Sequence, residues 1–257
     1  MGTIAFEARF TGPGGTGARD GIFTYSNGQV QPVVLNTQAV PGVQDRTFSQ
    51  FLGLAINGTG QIVFVASVKG QDATETSGVF LAAGGVITTL VLEKDRAPYA
   101  DGRSFGKFGQ PAINEAGKVA FVDSVEIRAP RTSQIPNGVF IAASTASSLI
   151  ANVGSSASGG GASVLGNFQR PLIVRTSAGT DAVLFVGWNQ VRGRNALWLY
   201  GQNGLASILE EGNAAVGGGT HSFIGAPALS TSGYLAFVSN LRGSPAKAGI
   251  FVNKLVF

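Results

Sequence analysis

The stretch Pro111-Ala112-Ile113-Asn114-Glu115-Ala116-Gly117-Lys118-Val119-Ala120-Phe121-Val122 decides the fold. It reads as a short strand ending at Asn114, a tight turn over Glu115 to Gly117, and a second strand from Lys118. Val119 and Phe121 alternate toward one face, and Gly117 supplies the positive φ that such a turn requires. The pattern returns with its phenylalanine at Phe6, Phe64, Phe121, Phe185 and Phe237, at steps of 52 to 64 residues. Such a period is long for a solenoid turn but near the ~40–50 residues of a four-stranded propeller blade with one long loop.

A third strand follows each anchor: Gly21-Ile22-Phe23, Gly78-Val79-Phe80, Gly138-Val139-Phe140, Ala196-Leu197-Trp198 and Gly249-Ile250-Phe251. Fourth strands come next, as in Val86 to Leu92, and first strands then begin the following unit, as in Phe51 to Asn57. Pro111, Pro171 and Pro227 take the place of Leu54; a proline cannot donate to a ladder, so they are expected at the start of a strand. Strands such as Ile62-Val63-Phe64-Val65-Ala66 are apolar without alternation, as expected when both faces of a sheet are covered. The expected fold is all-β: a β-propeller of five blades of short antiparallel strands, with incomplete terminal blades. One domain covers 1–257, in units of about 1–50, 51–107, 108–167, 168–223 and 224–257. The first unit supplies second to fourth strands and the last supplies first to third, for 18 strands in all.

Asn57-Gly58-Thr59-Gly60-Gln61-Ile62-Val63-Phe64 and Asn114 to Phe121 resemble the Asn-x-x-Gly-x-x-Ala-Phe repeat of bacterial secreted or surface tandem-repeat proteins with variable C-terminal anchors. The later Gly-Ile-Phe and the loop Lys94-Asp95-Arg96-Ala97-Pro98 are also similar, and the repeat layout resembles that of TolB-type propellers. The fourth and fifth copies depart, since Ile173-Val174-Arg175 and Leu229-Ser230 lack the asparagine. The resemblance covers essentially the whole chain; it implies an extracellular or cell-surface propeller and names no activity.

Composition narrows the rest. Charged residues are 12% of the 257, against ~25% for an ordinary soluble domain, and the net charge is +4. No run of Lys and Arg offers a phosphate-binding surface, so a nucleic-acid partner is not expected. The absence of cysteine excludes disulfides and thiolate metal sites. No apolar run reaches the ~18 residues of a membrane helix, so membrane insertion is not expected. The N-terminus opens directly in a strand, as expected of a cytosolic protein or of a mature or trimmed form.

Recognisable chemistry is scarce. His221 lies in the glycine-rich stretch Gly217-Gly218-Gly219-Thr220-His221-Ser222 and is expected on a surface loop. That triplet and Gly159-Gly160-Gly161 lack the Gly-Lys-Ser/Thr of a phosphate loop. The pairs Asp95 with Asp101 and Glu210 with Glu211 lack calcium-loop spacing and are expected in solvated loops; Asp123 with Glu126 carries no catalytic pattern. Trp188, Arg192, Arg194 and Tyr200 form the one cluster unlike the repeat consensus, and are the candidate ligand-binding residues. The last strand is strongly apolar at a sheet edge, which makes Ile250, Val252, Leu255 and Phe257 candidate interface residues. No cofactor and no metal are expected. The expected function is a non-enzymatic structural or protein-interaction module, self-associating or bound to a protein partner; the alternative is a carbohydrate-binding propeller with a glycan ligand.

Overall fold

A computed structural model of the chain describes residues 2–11, 17–99, 102–124, 137–144, 146–155, 165–166 and 168–255. Strands account for all its regular structure. The chain is an all-β protein of the propeller class, built from five successive antiparallel sheets. Two compact units divide it: Met1–Glu126 with Ile141–Ser148, and Ile127–Phe140 with Leu149–Phe257. Among the described residues no helix is long and apolar enough to cross a membrane.

The first sheet holds β1 (Ile4–Thr11), β2 (Ala18–Ser26) and β3 (Gln29–Leu35), in that order. The second is the meander β4 (Arg46–Ile56), β5 (Ile62–Gly70), β6 (Glu75–Ala83) and β7 (Val86–Leu92). The third comprises β8 (Lys107–Phe108), β9 (Ala112–Ile113), β10 (Val119–Ser124), β11 (Asn137–Ala143) and β12 (Ala146–Asn152), with both β8 and β9 on β10. The fourth has β13 (Leu165–Gly166), β14 (Leu172–Arg175), β15 (Asp181–Asn189), β16 (Arg194–Gly201) and β17 (Gly204–Glu210). The fifth has β18 (Thr220–Ile224), β19 (Ala228–Leu229), β20 (Tyr234–Arg242) and β21 (Ala248–Lys254).

Among the described residues there are 21 strands, three more than the sequence pattern gives, because three first strands each divide in two. Pro111, Pro171 and Pro227 sit in the gaps, each directly before the second half, β9, β14 or β19, and so at a strand's entry as expected. In each gap one amide still bonds the neighbouring strand: Gly109 to Val122 O at 3.0 Å, Gln169 to Val186 O at 2.9 Å and Gly225 to Val238 O at 2.8 Å. Where Leu54 replaces the proline, β4 runs unbroken for 11 residues.

The repeat asparagine closes the hairpin turn. Asn57 Oδ1 accepts from the Thr59 and Gln61 amides, and Asn114 Oδ1 from those of Ala116 and Lys118. The two copies without asparagine keep the device with a hydroxyl: Thr176 Oγ1 accepts from the Thr180 amide, and Ser230 Oγ from that of Tyr234.

Phe64, Phe80, Phe121, Phe140, Phe185 and Phe237 are all buried, as their shared place in the repeat predicts. In the first unit, Phe64, Phe80 and Phe48 pack with Ile22 and Val34 of the first sheet. The opposite face of the second sheet, with Val63, Val65 and Val79, is also buried, which accounts for the non-alternating β5. In the second unit, Leu184, Val186 and Leu197 of the fourth sheet pack against Ile224, Leu235 and Phe237 of the fifth. Among the described residues β21 pairs only with β20; Ile250 and Val252 on it are exposed, Leu255 just beyond is half-buried, and Phe257 lies outside the described residues.

Candidate functional site

Backbone register aligns the sheets residue by residue and shows where the repeat changes chemistry. Phe48 and Phe105 each exchange backbone hydrogen bonds with a preceding turn, through Thr37 and Gln38 or through Lys94 and Asp95. His221 makes the same pair of bonds with Gly212 and Asn213. The histidine therefore occupies a core phenylalanine position at the head of β18. It is 4% exposed, which corrects the expectation of a surface loop. Its ring meets Phe251 edge-on at 4.7 Å and Phe237 at 5.7 Å, as the Phe48 ring meets Phe80 and Phe64.

A buried imidazole needs a partner, and the repeat has changed a second residue to provide one. Ser239 stands where β5 has Ala66, two residues beyond the anchor phenylalanine. His221 Nδ1 lies 2.8 Å from Ser239 Oγ, whose hydroxyl also lies within hydrogen-bond distance of Phe223 O at 2.5 Å and Asn240 O at 3.0 Å. Burial lowers the pKa of His221, so it is neutral at pH 7.

The neighbouring fourth sheet changes in the same way. Glu210 pairs with Ala196 where Leu35 and Leu92 pair with Gly21 and Gly78, and Asn189 holds the place of Val68. Glu210 is buried, which corrects the expectation of a solvated loop. Its carboxylate accepts from Asn189 Nδ2 at 3.2 Å and forms an ion pair with Arg192 Nη1 at 2.8 Å. Asn189 Oδ1 in turn accepts from the Val191 and Arg192 amides, fixing the turn that presents Arg192.

His221, and Arg192 held by Glu210 and Asn189, border one open cavity of about 260 Å³, lined also by Gly193, Arg194, Glu211, Gly212, Thr220, Ser222 and Arg242. Arg194 Nη1 donates to Glu211 O at 2.8 Å, and the Glu211 carboxylate accepts from the Asn195 amide and Nδ2. Gly212, at φ +91°, is needed twice over: a Cβ there would collide with the Arg194 guanidinium. Thr37 and Lys94, also at positive φ, fill the equivalent turn position in the first unit.

Two of the four candidate ligand residues, Arg192 and Arg194, thus line one cavity. Trp188 is half-buried at the same end of the sheet, opposite Asn195, while Tyr200 pairs with Val183 at the far end. Sequence reasoning passed over Glu210, His221 and Arg242. The pattern Thr47-Phe48, Ser104-Phe105, Thr220-His221 holds the missing signal, because it places the histidine in a phenylalanine column.

One further buried carboxylate lies in the first unit. Asp123, at the repeat position of Ser239, accepts from the Gly106 amide at 2.8 Å and from Tyr99 Oη at 3.2 Å. Burial raises its pKa to about 6. Glu126 and Asp101 lie outside the described residues. No cluster of His, Cys, Asp and Glu suited to a metal occurs among the described residues.

A family of unknown function, DUF7453, matches residues 1–179. The chain belongs to the DUF7453 family. No curated protein matches it. Among solved structures it is similar to an α-L-arabinanase of Penicillium chrysogenum complexed with arabinobiose, at 12% identity and a TM-score of 0.47, over 98% of this chain and 71% of that one. An endo-arabinase of Bacteroides thetaiotaomicron is similar at 12% identity and 0.37, over 98% and 90%. A GH93 α-L-arabinofuranosidase of Fusarium graminearum with arabinobiose is similar at 12% and 0.40, over 98% and 72%. These similar structures are enzymes, and they overturn two expectations: that the chain is a non-enzymatic structural or protein-interaction module, and that it is not an enzyme. With scores below 0.5, no reaction and no residue role is transferred from them.

Proposed function

We propose that this DUF7453 protein is a carbohydrate-binding propeller whose ligand sits in the cavity bordered by Arg192, Arg194, Glu211, His221 and Arg242. One observation carries the proposal: a core phenylalanine position of the repeat becomes His221, which lines this cavity, and on the adjacent sheet the polar replacements Glu210 and Asn189 hold Arg192, which lines it too. Glu210 and Asn189 replace Leu and Val, and His221 with Ser239 replaces Phe with Ala. Burying polar groups costs stability unless they are bonded, so a packed blade has no use for them on packing grounds alone. The outcome is a fixed set of guanidinium, hydroxyl and carboxylate groups, the donors and acceptors that sugar hydroxyls require. A secreted or cell-surface location, drawn from the resemblance of the repeats, is part of the proposal. So is a role for the half-buried Trp188 as a stacking surface for a sugar ring.

The test is a glycan array followed by calorimetry on the full chain, with arabinobiose and longer arabino-oligosaccharides among the ligands. Chromatography of the same mixtures reads any cleavage. Binding that falls at least tenfold in Arg242→Ala, an exposed and unpaired residue among those described, supports the proposal. An array with no binder, or binding indifferent to Arg242, overturns it.

A further inference from the structure

We infer that the sugar recognised in this cavity is anionic, carrying a carboxylate or a sulfate. The inference rests on the carbohydrate reading and names its ligand class. Three arginines reach the cavity from separate places: Arg192 from the β15–β16 turn, Arg194 from the head of β16, and Arg242 from the end of β20. Only Arg192 is neutralised by a carboxylate, that of Glu210. Arg194 spends its bonds on two carbonyl oxygens, Glu211 O and Arg192 O, which hold the guanidinium in place, and it has no carboxylate partner among the described residues. Arg242 has no side-chain partner among the described residues. The one carboxylate lining the cavity, Glu211, is turned onto Asn195.

Placement and cost point the same way. Arg194 is held by its bond to Glu211 O, in space that Gly212 leaves open. A fixed planar guanidinium suits the paired oxygens of a carboxylate or sulfate, and two cations beside one committed carboxylate leave the cavity positive. A neutral sugar would leave both guanidinium charges unused. Thr220 and Ser222, from alternate positions of β18, line the same cavity and offer hydroxyls to the remainder of the ring.

The experiment is calorimetry on the full chain at low and high salt with four probes: a neutral oligosaccharide, a uronate oligosaccharide of equal length, a sulfated one, and free acetate with sulfate. At least one anionic oligosaccharide should bind tenfold or more tighter than the neutral one. That margin should shrink in 0.5 M salt and in Arg242→Ala, while Arg242→Lys retains part of it. Whichever of uronate and sulfated sugar binds tighter identifies the source of the anion. Equal or tighter binding of the neutral sugar overturns the inference and leaves the carbohydrate reading standing. Binding of the free ions as tight as that of the sugars overturns it as a bare anion site. No sugar binding at all overturns both.

Discussion

The second and fifth sheets share one register around the anchor phenylalanine, and beside it they differ at two residues that touch. In the second, Phe48 lies against Phe64 and Phe80, and Ala66 fills the space beside them. In the fifth, the same places hold His221 against Phe237 and Phe251, and Ser239. The ring geometry is retained and the chemistry is not. A repeat protein needs the same packing in every unit, so a polar pair inside that packing marks the unit where something other than stability was selected. The neighbouring polar change, Glu210 for leucine, holds Arg192 of the same cavity and makes the contrast one of regions rather than of single residues.

The comparison breaks first at its apolar end. Phe64→Ala, in the fully apolar sheet, should cost about 3–5 kcal/mol in chemical denaturation. A loss under about 1 kcal/mol would show that the shared register is wrong. In the fifth sheet, Ser239→Ala leaves His221 Nδ1 buried without its partner and should cost about 1–3 kcal/mol. The double change His221→Phe with Ser239→Ala restores the pair found in the second sheet. It should recover most of that loss and end within about 1 kcal/mol of the parent, as expected when both partners of a buried bond become apolar. If the double variant is worse than Ser239→Ala, the two sheets are not equivalent.

The Phe columns and the five units were legible because each sheet must present an aromatic at the same height, and that requirement repeats in the sequence. The division of three first strands was not, because a proline is compatible with both a strand start and a bridged gap, and only the amides of Gly109, Gln169 and Gly225 decide. The cavity was legible in part. Arg192 and Arg194 stood out against the consensus, whereas His221 was hidden by the glycines before it. Those glycines belong to a turn that ends one residue ahead of β18. Glu210 was hidden because its burial follows from pairing with Ala196, a long-range fact.

A smaller effect separates the two buried titrating groups by sign. Asp123 has a folded pKa of about 6, raised by burial above the unfolded value of 3.8. Its contribution to stability is therefore fully present below 3.8 and lost as the pH rises through about 6. His221 is lowered below 6.5, so its contribution is present above 6.5 and lost as the pH falls toward the folded value. Asp123→Asn should flatten the stability profile between about pH 4 and 6, and His221→Phe with Ser239→Ala should flatten the part below 6.5. Denaturant midpoints across pH 4 to 8 read both, and profiles unchanged by either substitution would place these groups outside the core.

The account stands most directly on where a ligand binds. A crystal structure of the full chain with the tightest oligosaccharide from the array should show the sugar between the fourth and fifth sheets, with Arg194 and Arg242 on its acidic group and His221 beneath it. Sugar seated elsewhere on the molecule, with that cavity empty, would contradict the account.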